Sequence, residues 1–82
     1  MDKMNDKSID PKALREVYII LEKLNMLDKI PLEIRKYLEN EQDISHEFTF
    51  NEKAPLIFQI ENESTKVLLT YLVDKYINNQ KA

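Results

Sequence analysis

Residue types on which many functional sites depend are absent from this chain of 82 residues, or nearly so. There is no cysteine, which excludes disulfides, thiol nucleophiles, iron–sulfur clusters and cysteine-based zinc sites. There is no glycine, which excludes the phosphate-binding and calcium-binding loops whose backbone geometry requires that residue. The single histidine, His46, has no second histidine with which it could share a metal ion.

Charge and apolar content indicate a globular chain rather than a general binder of nucleic acids. The 15 acidic residues outnumber the 12 basic ones, and the formal net charge is -3. Binding to phosphate backbones depends on clustered Lys and Arg side chains, which this balance disfavours. The apolar fraction of 43% is typical of a folded domain.

No stretch of the sequence reaches the ~20 apolar residues that are needed to cross a bilayer. The longest uninterrupted apolar run, VYIIL, occupies positions 17–21. The N-terminal residues mix both signs of charge and lack the apolar stretch of a secretory signal. We therefore expect a cytoplasmic protein.

A first amphipathic helix is predicted over residues 11–27. Asp10 can cap its free amides, and Pro11 suits the first helical position, where no N–H is needed. One half of the helix surface carries the apolar residues Leu14, Val17, Tyr18, Ile20, Leu21, Leu24 and Leu27. The other half carries the charged residues Lys12, Arg15, Glu16, Glu22 and Lys23.

A second helix is predicted over residues 31–41. Ile30 precedes a proline and is therefore kept out of the helical region, and Pro31 can open the helix that follows. The apolar stripe of this helix is short and consists of Ile34, Tyr37 and Leu38. The short connection predicts that the first two helices are neighbours and form an antiparallel pair.

After Asp43 the apolar residues recur at every second position. The positions that share one side of this segment are Ile44, His46, Phe48 and Phe50, followed by Leu56, Phe58 and Ile60. Such alternation is typical of β-strands, so one prediction for residues 44–60 is a β-hairpin. The other prediction is an irregular loop whose phenylalanine and leucine side chains fill the helical core. The lack of glycine disfavours the tight hairpin turns, and both alternatives stay open.

A third helix is predicted from the N-cap residue Asn62 to about Asn78. Its broad apolar face consists of Leu68, Leu69, Leu72, Val73, Tyr76 and Ile77. Val67 and Tyr71 point to the opposite side. A helix that is apolar on nearly all sides is buried on more than one side. We therefore expect this helix to be the central, organising element or to be shared with a partner.

These elements predict a mainly α fold, a three-helix domain with an extended or short β-hairpin segment between helices 2 and 3. We expect one small domain over residues 1–82, with residues 1–9 and 79–82 frayed because they carry little to bury. The predicted core consists of Leu14, Val17, Leu21, Leu24, Ile34, Leu38, Phe48, Phe50, Leu68, Leu72, Val73 and Tyr76.

No catalytic, cofactor-binding or metal-binding residue is predicted. His46 has no neighbouring ligand or nucleophile in any motif, so a structural or surface role is expected for it. Glu39, Glu41 and Asp43 are spaced like the first ligands of a calcium loop. That loop also needs a glycine, and Phe50 stands where its closing glutamate would be. Every acidic residue is expected in a polar surface context, which does not prepare a carboxyl group for acid–base catalysis. We therefore expect no enzymatic activity.

The apolar residues outside the expected core stripes are the most informative feature of the sequence. Ile19 and Met26 lie on the polar side of helix 1, and Val67 and Tyr71 lie on the outer side of helix 3. A contiguous exposed apolar patch marks an interface, so we expect these four residues to contact a protein partner or a second copy of the chain. The alternative is that residues 44–60 fold over the outer side of helix 3.

Several stretches of the sequence resemble a group of small proteins of low-GC Gram-positive bacteria. The stretches are KIPLEIRKYL at residues 29–38, FTF at 48–50, PL at 55–56 and ESTKVLLTYL at 63–72. The proteins of that group share an IP-x-E helix start, a short aromatic extended segment and a C-terminal helix opened by ETK. The resemblance covers most of residues 14–77. It implies no catalytic or binding residue, because its motifs are structural and the group has no assigned activity.

The leading functional hypothesis is a small cytoplasmic protein–protein interaction module, with a homodimer through the C-terminal helix as one form of it. One alternative is a nucleic-acid-associated regulator of the helix-turn-helix type. Against it, helix 3 presents Val67, Tyr71 and Asp74 where a recognition helix carries Arg, Lys, Asn or Gln. The other alternative is a small inhibitor protein of a mobile element that acts through the acidic segment at residues 39–47.

Overall fold

A computed structural model describes residues 9–78, and this part of the chain consists of helices joined by irregular segments. The three α-helices are α1 (Pro11–Lys23), α2 (Leu32–Glu41) and α3 (Glu63–Leu72). A π-helical turn, Val73–Ile77, continues α3, and 3₁₀ turns lie at Leu27–Lys29 and Leu56–Phe58. The prediction of a mainly helical fold with three helices is confirmed. No β-strand, and hence no β-hairpin, occurs between residues 9 and 78.

Both predicted N-caps are present, and they bond to each other. Asp10 Oδ1 accepts a hydrogen bond from the backbone N–H of Lys12 at 3.0 Å, and Asn62 Oδ1 accepts one from Ser64 at 2.9 Å. The side-chain amide of Asn62 also donates to Asp10 Oδ2 at 3.0 Å. The N-termini of α1 and α3 therefore lie together. Because Thr65 of α3 also bonds to Glu16 of α1, the two helices run side by side in the same direction.

The predicted antiparallel pairing of α1 and α2 is confirmed. Arg15 Nη1 donates to Gln42 Oε1 at 2.8 Å, and the Tyr18 hydroxyl donates to Glu39 Oε2 at 3.3 Å. As the residue number rises along α1, from 15 to 18, the number of its partner falls, from 42 to 39. This is the order of contacts in an antiparallel pair. Ile30, before the proline, has the predicted extended backbone with φ -92° and ψ 135°.

The first helix ends before its predicted end, and Lys23 is its last residue. Asn25 has a φ of 61°, a left-handed conformation that asparagine adopts more readily than most residues. Its N–H donates to the Glu22 carbonyl, while the Met26 N–H donates to the Leu21 carbonyl. These two bonds form a Schellman C-cap. The apolar spacing continues past this turn, which is why the sequence predicted a longer helix.

The organising element is α1 rather than the C-terminal helix. It packs against both α2 and α3, and its buried side chains are Ala13, Leu14, Glu16, Val17, Ile20 and Leu21. The expectation that the third helix is central is wrong, because α1 packs against both other helices and has six buried residues, whereas α3 has two.

The segment at residues 43–60 contains no β-strand, and its first ten residues follow α1 along its length. It begins at the N-terminal end of α1, where the Asp43 N–H donates to the Pro11 carbonyl at 3.1 Å. It reaches the other end of α1, where Lys23 Nζ lies 3.9 Å from the Glu52 carboxylate. Residues 43–52, which we call the covering segment, therefore lie along α1, although their backbone forms no β-sheet.

The side chains of this segment fill the core only in part. Phe48 and Phe50 stack with ring centres 6.0 Å apart and are half-buried. Leu56 is also half-buried. Phe58 is 83% exposed, so the expectation that it fills the core is wrong. Its 3₁₀ turn directs it outward while Ile60, two residues later, is buried.

The core cluster joins all three helices and consists of Leu14, Val17, Leu21, Ile30, Leu38 and Leu72. All of these except Ile30 were predicted. Other predicted core residues are only half-buried, namely Leu24, Ile34, Phe48, Phe50, Leu68, Val73 and Tyr76. Buried apolar residues that were not predicted are Ala13, Ile20, Ile30 and Ile60.

Ile9, which was expected to fray, packs against the core. The other residues expected to fray, 1–8 and 79–82, lie outside the described residues. Across residues 9–78, none of the helices combines the length and the apolar character that crossing a membrane requires.

Asp10→Ala is expected to lower the free energy of unfolding by about 1 kcal/mol, the usual cost of removing an N-cap. The variant leaves the Lys12 N–H without its side-chain acceptor and releases Asn62. Asp10→Asn keeps an acceptor oxygen and is expected to cost less. Urea unfolding followed by circular dichroism measures both variants, and equal stability of Asp10→Ala and the wild type would contradict the role of the cap.

The same carboxylate makes stability depend on acid pH. Hydrogen bonds from Asn62 and from the Lys12 N–H hold the pKa of Asp10 below its ordinary value. A carboxyl group whose pKa is lower in the folded state contributes stability above its unfolded-state pKa of ~4 and loses that contribution as pH falls through the folded value. Asp10→Asn should therefore lose less stability than the wild type between neutral and strongly acid pH.

Candidate functional site

The outer side of α3 exposes apolar side chains. Val67 is 61% exposed and Tyr71 is 53% exposed. Because the two residues are four positions apart on one helix, their side chains are neighbours on its surface. Residues 44–60 therefore do not fold over them, which was the alternative expectation.

Val67 and Tyr71 form a ridge between two shallow depressions, and both residues line each of them. The first depression, of about 510 Å³, also has Ile9 and Asp10 in its lining. The second, of about 470 Å³, extends to Ile57, which is 50% exposed on the neighbouring 3₁₀ turn. A ridge flanked by grooves is the surface shape through which helices pack against each other.

The two ends of this ridge carry opposite charges. Glu63 precedes Val67 by four residues and lines both depressions. Lys75 follows Tyr71 by four residues, and its Nζ lies 6.0 Å from the centre of the Tyr71 ring. All four side chains are exposed. We call the series Glu63, Val67, Tyr71 and Lys75 the α3 stripe.

The other two predicted interface residues lie apart from the α3 stripe. Met26 is half-buried and packs against the core, because α1 ends before it and the chain turns inward. Ile19 is half-buried on α1 and is not part of the lining of either depression. The structure therefore brings Val67 and Tyr71 together but does not join Ile19 and Met26 to them.

A second feature is a buried carboxylate that links three parts of the chain. Glu16 on α1 is only 8% exposed. The Thr65 hydroxyl on α3 donates to Glu16 Oε1 at 2.8 Å, and His46 Nε2 lies 2.8 Å from Glu16 Oε2. The expectation that every acidic residue lies in a polar surface context is wrong for Glu16, because His46 and Thr65 lie against its carboxylate.

The order of these polar groups differs from that of a hydrolytic triad. In a triad the histidine bonds to both the nucleophile and the acid. Here the hydroxyl of Thr65, which is fully buried, bonds to Glu16 rather than to His46. Arg15 Nε also donates to the carbonyl oxygen of His46 at 3.2 Å. These hydrogen bonds thus attach the covering segment to α1 and α3. The expectation that the protein has no enzymatic activity stays a prediction.

Acidic residues at and after the end of α2 bond within the chain. Glu39 accepts from Tyr18, and Asp43 Oδ1 accepts from the Ser45 N–H at 3.0 Å and its hydroxyl at 2.6 Å. The bonds from Ser45 lower the pKa of Asp43, whereas burial and then the charge of Glu39 raise the pKa of Tyr18. Between residues 9 and 78, no group of three or more His, Cys, Asp or Glu side chains is placed to hold a metal ion.

Four residues of this surface were missed in the sequence, namely Glu63, Lys75, Ile57 and Ile9. The four-residue interval that links Glu63 and Lys75 to the apolar pair is visible in the sequence and could have identified them. Ile57 gave no such signal, because the alternating pattern does not reveal that a 3₁₀ turn exposes it.

Comparisons with family models, with curated proteins and with solved structures found no match to this chain. The resemblance to small proteins of low-GC Gram-positive bacteria therefore stays a prediction.

Proposed function

We propose that this chain is a small cytoplasmic protein–protein interaction module that binds its partner through the α3 stripe. The observation that carries the proposal is the exposure of Val67 and Tyr71 side by side on α3. Removing apolar surface from water contributes ~25 cal/mol per Å², so covering this ridge favours association. Tyrosine is also among the residues that are enriched at the centre of protein interfaces.

The surroundings of the ridge support the same proposal. Ile57 and Ile9 extend the apolar surface on either side, while Glu63 and Lys75 place charges at the two ends. An apolar centre with a polar, solvent-accessible rim is the usual composition of a protein interface. The opposite charges at the two ends of the α3 stripe favour one orientation of the partner along α3.

The two alternative functions have less support. Glu63 and Asp10 line the depression beside the ridge, and their carboxylates would repel a nucleic-acid backbone. In the acidic segment, Glu39 and Asp43 already accept hydrogen bonds from neighbouring side chains. An inhibitor that acts through this segment would compete with those bonds.

Site-specific photocrosslinking tests the proposal. The full chain carrying the photo-reactive residue benzoylphenylalanine in place of Val67 is irradiated in its host cells. We expect protein adducts at this position, and we expect Tyr71→Glu in the same chain to reduce them, because a charge in the ridge opposes desolvation.

The matched control is benzoylphenylalanine in place of Ile44. Ile44 is an aliphatic residue that is 74% exposed and is not part of the lining of either depression. Adducts that are no more abundant at position 67 than at position 44 would overturn the proposal. Adducts with nucleic acid at position 67 would favour the alternative of a nucleic-acid-associated regulator.

A further inference from the structure

We infer that the partner is a second copy of this chain, whose α3 stripe packs antiparallel against the first. The inference rests on the proposed function, to which it adds the identity of the partner and the relative direction of the two helices.

The order of residues along the α3 stripe is self-complementary. Glu63 lies four residues before Val67, and Lys75 lies four residues after Tyr71. When two stripes meet in opposite directions about a two-fold axis, each Val67 faces a Tyr71 and each Glu63 faces a Lys75. A parallel pair would instead place identical charges opposite each other, which costs free energy. Charge complementarity therefore selects the antiparallel arrangement.

The charged ends of the stripe are available for this pairing. Glu63 forms no ion pair with any residue in the described range 9–78. Lys75 Nζ lies over the rings of Tyr71 and Tyr76, at 6.0 and 5.7 Å from their centres. These ring contacts hold the ammonium group at the end of the ridge and leave its N–H groups free to donate to a carboxylate.

The shape of the surface fits the same arrangement. Residues that follow each other at intervals of four form a ridge inclined to the helix axis, and such a ridge packs into the groove beside the equivalent ridge of another helix, at a crossing angle of about -50°. The ridge of Val67 and Tyr71 has a depression on each side. Each copy thus offers both the ridge and the groove that a two-fold contact requires.

The size of the contact predicts a weak dimer. The ten residues of α3 and the five residues of the π-helical turn together span ~22 Å. A contact of this length, even with Ile57 and Ile9 at its margins, lies at the small end of specific interfaces, which form transient complexes. Association should therefore depend on concentration in the range accessible to sedimentation and nuclear magnetic resonance.

Charge reversal tests the inference on the purified full chain. Glu63→Lys places two lysines together at each end of the pair, and Lys75→Glu places two glutamates together there. Each single variant is expected to weaken self-association about tenfold or more, because like charges meet twice in each dimer. Lys36→Glu, an exposed charge reversal on α2, is the control and should leave the dissociation constant unchanged. Circular dichroism confirms that every variant is folded.

The single variants identify the direction of the pairing, because in a parallel pair each reversal would only replace one contact between like charges with another. Mixing the variants then tests the charge complementarity itself. Equal amounts of Glu63→Lys and Lys75→Glu are expected to form a heterodimer, because each lysine then faces a glutamate. The double variant, with both reversals in one chain, is expected to recover the homodimer for the same reason. Sedimentation velocity over a concentration series, with one variant labelled by a fluorophore, measures both.

The outcomes separate this inference from the proposed function. A monomer at all concentrations, with adducts at position 67 to a different protein, would overturn self-pairing and leave the interaction module intact. A dimer that charge reversal does not weaken, or that mixing does not restore, would overturn the antiparallel arrangement. Adducts at position 67 that are no more abundant than those at position 44 would overturn the proposed function itself.

Discussion

Replacing Leu38 with alanine is expected to lower the free energy of unfolding by about 2–5 kcal/mol, the range observed for truncating a buried leucine. Leu38 is 1% exposed and is the one buried residue of α2. It packs in the core cluster with Leu14 and Leu21 of α1. Ile34, the other residue of α2 that packs against the core, is only half-buried, so the cavity should loosen the whole helix. Small domains have a total stability of ~5–15 kcal/mol, so the loss is a large fraction of the whole.

Leu32→Ala supplies the matched control for this prediction. It makes the same chemical change on the same helix, but Leu32 is 57% exposed. We expect its effect to stay within ~0.5 kcal/mol, as for most surface substitutions. Urea unfolding gives both stabilities, and amide hydrogen exchange of α2 shows whether the helix opens locally. Similar losses in the two variants would contradict the assignment of Leu38 as the anchor of α2.

Glu16→Ala is expected to lower the free energy of unfolding by about 2–3 kcal/mol, because it leaves a buried donor without its acceptor. Thr65, whose hydroxyl donates to Glu16 at 2.8 Å, is 0% exposed and has no access to water. His46 is half-buried and can turn toward solvent, so its loss of a partner should cost less. We also expect residues 43–46 to exchange their amide hydrogens faster, because the covering segment loses its attachment to α1.

Two further variants separate the effect of losing the buried carboxylate from the effect of a Glu-to-Ala change on helix stability. Glu22→Ala removes an exposed carboxylate from the same helix and should change stability by no more than ~0.5 kcal/mol. Glu16→Gln keeps an oxygen that can accept from Thr65 and should recover part of the loss. If Glu16→Ala were as stable as Glu22→Ala, the polar network would have no role in holding the fold together.

Local features of the fold could be predicted from the sequence, because their causes lie within a few residues. Asp10 and Asn62 cap helices through backbone amides two positions away, and Ile30 is extended because a proline follows it. The early end of α1 also has a local cause in Asn25, whose left-handed conformation stops the helix. The sequence prediction missed this end of the helix, because Met26 and Leu27 continue the apolar pattern beyond Asn25.

Features that depend on distant parts of the chain could not be predicted in the same way. Glu16 has the spacing of a surface residue, and only the return of His46 and Thr65 to α1 makes it buried. The alternation around Phe48 and Phe58 has a strand-like period but no partner strand in the described range. The outward position of Val67 and Tyr71 could be predicted from helix periodicity. The position of Ile57 beside them could not, because it depends on the path that residues 43–60 take across the molecule.

The shared direction of α1 and α3 affects how the protein is made. The capping residues Asp10 and Asn62, which touch in the fold, are 52 positions apart in the chain, and such non-local contacts slow folding. Because a ribosome releases the N-terminus first, α1 leaves the exit tunnel with one apolar side uncovered until α3 follows. The core therefore closes only after α3 has been synthesised, and until then the uncovered apolar side of α1 is open to chaperones.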